Sequence, residues 1–241
     1  MKRFSYDLHV HSCLSPCGDD DMTPCNIAGM AHLNGLEIVA LTDHNAVRNC
    51  PAFFAACEQY GIVPVAGMEL TTAEDIHLLC LFETLEAGMA FDEAIQPMRM
   101  PVKNRKGIYG EQLIRDEKDA VIGEEPFFLP AATTLDLEAA AALVRDFQGV
   151  CYPAHIDREA NGLLAVLGAF PEKPDFACAE LRDRENVALA EGRKVLICSD
   201  AHRLWELKEA SDGTSIALDA NQDDPADVRR ALIDAIRRGT L

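Results

Sequence analysis

The 241-residue chain is 49% hydrophobic and carries 40 acidic against 22 basic residues, a formal net charge of -18. That length supports one sizeable core, so a single barrel or doubly wound domain over residues 1–241 is expected rather than two small domains. No apolar run reaches the length of a membrane span. An acidic surface repels a phosphate backbone, so binding of long nucleic acid is disfavoured, while a small anion is admissible wherever bound metal makes a site locally positive.

Met1-Lys-Arg-Phe-Ser-Tyr6 lacks the apolar core of a signal peptide, which makes the cytoplasm the expected compartment. A strand is predicted over residues 4–10, ending in Asp7-Leu-His9-Val-His11. A loop rich in Cys and Asp follows, then a helix over 23–33, opened by Thr23-Pro24 and stopped by Asn34-Gly35. Next come a strand over 37–41, with Thr42-Asp43-His44 behind it, and a helix over 50–60 stopped at Gly61. Strands over 63–66, followed by Gly67-Met68-Glu69, and over 77–82, opened by His77, precede a helix over 85–97.

From Met98 to Thr134 the rhythm breaks: the segment is polar, with Pro101, Pro126 and Pro130 and two short apolar pieces at 111–115 and 127–129. It reads as an insertion, an irregular hairpin lying over one end of the sheet. Beyond it the alternation resumes, with strands over 150–153, 176–181, 195–199 and 215–218. Helical patterns over 135–147, 162–167, 184–191 and 225–238 separate them, the last opened by Asp224-Pro225. Strands alternating with helices of about a dozen residues indicate βαβ units and a mostly parallel sheet or barrel.

Six of the seven histidines fall at predicted strand ends: His9, His11, His44, His77, His155 and His202; His32 lies within a helix and is read as structural. Ligands gather at the carboxyl ends of parallel strands. Residues i and i+2 share a strand face, so His9 and His11 can chelate one ion, and Asp200 with His202 repeats the arrangement. Imidazole with carboxylate suits zinc, manganese or iron rather than calcium. The nine cysteines fit neither a zinc ribbon nor a ferredoxin spacing and read as reduced thiols, several packed in apolar runs. Nucleotide-binding glycine loops, a nucleophile elbow and an aromatic stacking platform are not evident.

Taken in order, Asp-Leu-His-Val-His-Ser, Leu-Thr-Asp-His-Asn, Gly-Met-Glu, His77, Pro-Ala-His155 and Ser-Asp-Ala-His resemble the motifs of the polymerase and histidinol phosphatase (PHP) superfamily, and they cover most of the chain. The resemblance implies an α/β fold, a distorted parallel (β/α)7-type barrel similar to a TIM barrel, and phosphoester hydrolysis at up to three divalent metal ions. By the same resemblance, His9, His11, Glu69 and Asp200 hold a first ion, and Glu69, His77 and His155 a second, with Glu69 as the bridge. His44 and His202 hold a third, completed from the loop after His11; alignment back from Thr23-Pro24 favours Asp19, with Cys17 or Asp20 as alternatives.

Glu69, His155 and Asp200 are the expected catalytic set, with no general acid assigned. Asp43 is expected to orient an imidazole rather than bind metal, and Arg158 to contact a substrate phosphate. The implied activity is hydrolysis of a small phosphorylated substrate (a phosphomonoester, nucleotide or short oligonucleotide) without long nucleic acid or membrane as partner. Histidinol-phosphate phosphatase or short-oligonucleotide exonuclease activity, or a metal-binding regulatory module without catalysis, are the alternatives.

Overall fold

The computed structural model describes residues 1–241. In chain order the elements are β1 (Lys2–Val10), α1 (Pro24–Leu33), β2 (Ile38–Leu41), α2 (Cys50–Tyr60), β3 (Val63–Thr71), β4 (His77–Phe82), α3 (Leu85–Ile95), α4 (Lys106–Tyr109), β5 (Leu113–Arg115) and β6 (Val121–Glu124). The chain continues through α5 (Leu137–Asp146), β7 (Val150–Pro153), α6 (Leu163–Leu167), β8 (Cys178–Leu181), β9 (Lys194–Ile197), β10 (Ser215–Leu218) and α7 (Pro225–Arg238). Helix boundaries follow local chemistry. The Thr23 hydroxyl caps α1 by accepting from the Asn26 amide, Asp224 caps α7 in the same way, and α2 ends on Gly61 at φ +68.

Six strands form one mixed sheet in the order β10-β1-β2-β3-β4-β7. Only β1-β2-β3 run parallel; β4 is antiparallel to both β3 and β7, and β10 is antiparallel to β1. The parallel pair β8–β9 stands separately and touches the main sheet through a parallel bridge between Val10 and Ala201. An α/β fold is therefore present, and the six-stranded sheet is consistent with the distorted barrel expected, but its ladders are mixed rather than all parallel and one sheet does not supply seven strands. The cause is the short turn after Thr71: it reverses the chain directly into β4, where a parallel strand needs a crossover of a dozen or more residues.

This reversal matters for the site. Strand β3 runs on through Gly67-Met68-Glu69 to Thr71, and Thr71 pairs with His77. A histidine at the start of β4 thereby reaches the same sheet edge as residues at the ends of β1, β2, β7 and β9. One apolar face collects Leu8, Val65, Leu79, Tyr152 and Ile216 beneath Val228, Leu232 and Ile236 of α7. The other collects Leu41, Met68, Leu78 and Cys80 with Ile27, Phe53, Phe91 and Val144 of α1, α2, α3 and α5.

Residues 98–134 contain α4 and an antiparallel β5–β6 hairpin. The hairpin's second strand lies at Val121–Glu124 rather than 127–129, where Phe127 makes only an isolated bridge to Lys103. The segment is pinned beside the sheet edge. Asn45 Nδ2 donates to the Leu129 and Ala131 carbonyls at 2.7 and 3.0 Å, and Asn49 Nδ2 donates to the Leu113 carbonyl at 3.0 Å. At Gly110 (φ +103) any Cβ would stand 2.2 Å from the Pro16 carbonyl oxygen, so only glycine permits this approach to the loop after β1.

Candidate metal centre

All six strand-end histidines converge, together with Glu69 and Asp200. Glu69, 1% exposed, is the hub: its Oε1 lies 2.7 Å from His77 Nδ1, 3.0 Å from His155 Nε2 and 3.3 Å from His9 Nε2. Its Oε2 lies 3.0 Å from His44 Nδ1 and 3.3 Å from His11 Nε2. Asp200 Oδ1 stands 3.3 Å from both His9 Nε2 and His11 Nε2. Three groups have ligand atoms close enough to share an ion: His9, His11, Glu69 and Asp200; His44, Glu69 and His77; and His11, His44 and His202. His155 reaches Glu69 but belongs to none of the three.

Hydrogen bonds to the outer ring nitrogens aim the inner ones into the cluster, where a cation or a shared proton fits. His9 Nδ1 lies 3.0 Å from Glu180 Oε1, and a carboxylate there accepts, so Nδ1 carries the proton and Nε2 is left with a lone pair. His11 Nδ1 lies 3.0 Å from Ser15 Oγ, which itself donates to Asp43 Oδ1 at 2.7 Å; Nδ1 of His11 is again the donor. The two Nε2 atoms then face each other at 3.1 Å. Two lone pairs at that distance repel unless a proton or metal ion lies between them. His202 Nδ1 donates to the Asp200 carbonyl at 2.8 Å, freeing its Nε2, and the buried His155 Nδ1 has no hydrogen-bond partner. The donor set fits divalent ions of the zinc, manganese and iron kind.

Titration follows the same geometry. Burial pushes the Glu69 carboxyl up, but His77, His9 and His44 outweigh it and hold it well below the usual carboxylate range. Burial also pushes His11 down, yet its contacts with Asp200 and Glu69 raise it to about 9. For His44, Glu69 and the Cys17 thiol likewise outweigh burial and raise it to about 9. His202 is lowered to about 4 by burial and by His11. Two members of the set hold left-handed backbone, His155 at φ +26 and Asp200 at φ +55.

Asp43 does not contact its neighbour's ring; it holds Ser15 and Ser12, and so acts on His11 through Ser15. Arg158 lines the cleft over the cluster and donates to Asp200 Oδ2 at 3.1 Å. Asp19 stands apart: its carboxylate is 48% exposed, 3.6 Å from Arg203, and outside all three groups. Glu180 is the residue that motif reading missed. It is 1% exposed in β8, surrounded by apolar neighbours, and a lone carboxylate in a predicted buried strand (Cys178-Ala-Glu-Leu) was its signal.

The cleft holds about 400 Å³. His44, Glu69, His77, Asp200 and His202 form its floor with Arg158 and Asn161, while Ile108, Tyr109, Phe128 and Pro130 of segment 98–134 line its side. The Tyr109 and Phe128 rings lie 4.3 Å apart between centroids. Arg105 donates to Tyr109 Oη at 3.0 Å.

Fold and site together define an α/β protein with a buried His/Glu/Asp cluster able to hold metal ions. The profile of the PHP domain matches residues 7–160, well over half of the chain, and the chain belongs to that family. It is 32% identical over 102 residues to an uncharacterised protein of Methanocaldococcus jannaschii, a match covering 39% of this chain and 60% of that one. It is 25% identical over 123 residues to a 5'-3' exoribonuclease of Haemophilus influenzae, covering 50% of this chain and 39% of that one.

Among solved structures, the lesion-specific endonuclease PfuEndoQ from Pyrococcus furiosus superposes with a TM-score of 0.67 at 18% identity over 100% of this chain and 57% of its own. An endonuclease Q complex with a 27-mer duplex superposes at 0.55 and 18% identity, over 84% of this chain and 50% of its own. The chain thus spans 60% or less of each of these proteins. These findings correct the expectation that long nucleic acid is excluded, since this fold occurs in a protein seated on duplex DNA. Net charge misled because it averages the whole surface, whereas a phosphate meets only the local field of the cleft. No helix is long and apolar enough to cross a membrane.

Proposed function

We propose that the chain is a metal-dependent phosphoesterase acting on phosphodiester or phosphomonoester bonds of nucleic acid or nucleotides. The observation that carries this reading is Glu69, one buried carboxylate in contact with five imidazoles, from which a bridging ligand would serve ions on both sides. The first group (His9, His11, Glu69, Asp200) and the second (His44, Glu69, His77, with His155 on the same oxygen as His77) would each hold an ion. Divalent ions bound there would supply Lewis-acid activation of water and neutralise charge on phosphoryl oxygens.

The chain's own residues do the rest. Glu180 and Ser15 hold the imidazoles of His9 and His11 in the tautomers that a cation needs. Arg158, on the floor and partly exposed, can turn from Asp200 toward a phosphate oxygen. Ile108, Tyr109 and Phe128 offer an apolar, partly aromatic wall facing that polar floor, which suits a phosphate carrying a planar base. The similarity to an exoribonuclease supports the same substrate class. Segment 98–134, which supplies the wall, would set substrate range.

The test is turnover by protein loaded with zinc, manganese or iron(II) on end-labelled single- and double-stranded oligonucleotides, mononucleotides and simple phosphomonoesters. Turnover of nucleotide substrates, lost in Glu69→Gln, is expected. An inert protein with all three metals across the whole panel overturns the reading.

A further inference from the structure

The family resemblance implies that the loop after β1 completes the third group, His11, His44 and His202, and that loop offers four candidates: Cys17, Asp19, Asp20 and Asp21. Asp19 lies outside the cleft lining with its carboxylate toward Arg203, and Asp20 and Asp21 are exposed and likewise outside it. Cys17 lies outside the three groups too, but unlike the aspartates it lines the cleft with His44 and His202. His44 is only 6% exposed, and its Nδ1 has no hydrogen-bond partner; Glu69 Oε2 stands 3.0 Å away but out of line.

Cys17 is also unlike the other eight cysteines. All nine are free, and Cys17 alone is exposed. The rest are buried or half-buried, as thiols used for packing are. Its place is fixed from both sides. A Cβ on Gly18 would meet the Ser12 carbonyl oxygen at 2.7 Å, the Asp19 amide donates to the His202 carbonyl at 2.9 Å, and Pro16 is in contact with Gly110.

The geometry points to Cys17, rather than Asp19, as the fourth protein ligand of a third metal ion held by His11, His44 and His202. This inference rests on the metal-centre reading above. On binding, the thiol gives its proton to solvent and the thiolate sulfur donates to the ion. A thiolate beside three imidazoles selects a borderline-soft ion such as zinc over magnesium or manganese, which carboxylate would have accommodated. The third position would then differ in metal preference from the carboxylate-bearing first and second.

Cobalt(II) substitution tests this, because a cobalt-thiolate bond gives an intense near-ultraviolet charge-transfer band that imidazole and carboxylate do not. Titrating metal-free protein with cobalt should produce that band, which Cys17→Ser abolishes and Asp19→Asn leaves intact. Iodoacetamide should alkylate Cys17 in the metal-free protein, mapped by mass spectrometry. Saturating zinc should slow that reaction at least 10-fold, and magnesium should not. Cobalt uptake without the band, or alkylation at the same rate with and without zinc, overturns the assignment while leaving the other two positions standing. No cobalt uptake at all overturns both this and the metal-centre reading.

Discussion

Glu180 accepts the Nδ1 proton of His9 at 3.0 Å, from a residue 171 positions further along the chain. The same Oε1 accepts from the His155 amide at 3.3 Å, so one carboxylate in β8 orients one histidine of the cluster and fixes the backbone of another. Glu180→Gln keeps the shape but can present its amide nitrogen to His9, inverting the tautomer. Outer partners of metal-bound imidazole typically contribute about 10- to 100-fold in metal affinity, and a loss in that range is expected. Competition with a chromophoric chelator measures it; an unchanged affinity would show that the tautomer is set elsewhere.

Glu69→Gln should be more severe. Removing the negative charge common to two groups leaves imidazoles facing one another across a neutral amide, and the metal content of purified protein should fall by two ions per chain. Elemental analysis gives the count, and circular dichroism checks that the fold is retained. A variant that keeps its full metal content excludes Glu69 as the bridge.

Protons and metal compete for the same cage. His11 and His44 are raised to about 9 in the metal-free protein, against about 6.5 in an unfolded chain. A histidine whose folded pKa is raised stabilises fully below its unfolded pKa, and that contribution is lost as pH rises through the folded value. The thermal midpoint of metal-free protein should therefore fall between about pH 6.5 and 9. Metal affinity should rise across the same window, with protons released on binding. Calorimetry in buffers of different ionisation enthalpy reads the proton count.

Tyr109→Ala tests the cleft wall. Base stacking on an aromatic ring is worth about 1–3 kcal/mol, so KM for a nucleotide substrate should rise on the order of 10-fold, with metal content unchanged. Glycerol phosphate, which has no ring to stack, should be unaffected. Equal losses on both substrates would mean that the ring supports the fold rather than the substrate.

Much of the site was legible because its chemistry is carried by short local patterns. His9 with His11, and Asp200 with His202, sit two residues apart, and a strand's alternation puts each pair on one face whatever the rest of the chain does. The direction of β4 was not legible: nothing local to His77-Leu-Leu-Cys-Leu-Phe82 distinguishes a strand running up from one running down. It is decided by the tight turn before it and by pairing with β7, some 70 residues later. Glu180 and Ser15 escaped for a related reason. Their value lies in meeting a histidine ring in space, and only Ser15 is close to its partner in sequence. Alignment back from Thr23-Pro24 favours Asp19 over Cys17 or Asp20, but position along the loop cannot register that it folds back on Ser12 and turns Cys17, not Asp19, into the cleft.

The left-handed backbone at His155 and Asp200 has a consequence for how the protein trades durability against readiness. Residues with a side chain resist this conformation, at a cost of order 1–3 kcal/mol each. Because that strain is settled when the chain folds, an arriving ion meets donors already in position and need not reorganise them. Substitutions that relax either residue should therefore raise the thermal midpoint of the metal-free protein while weakening its metal binding.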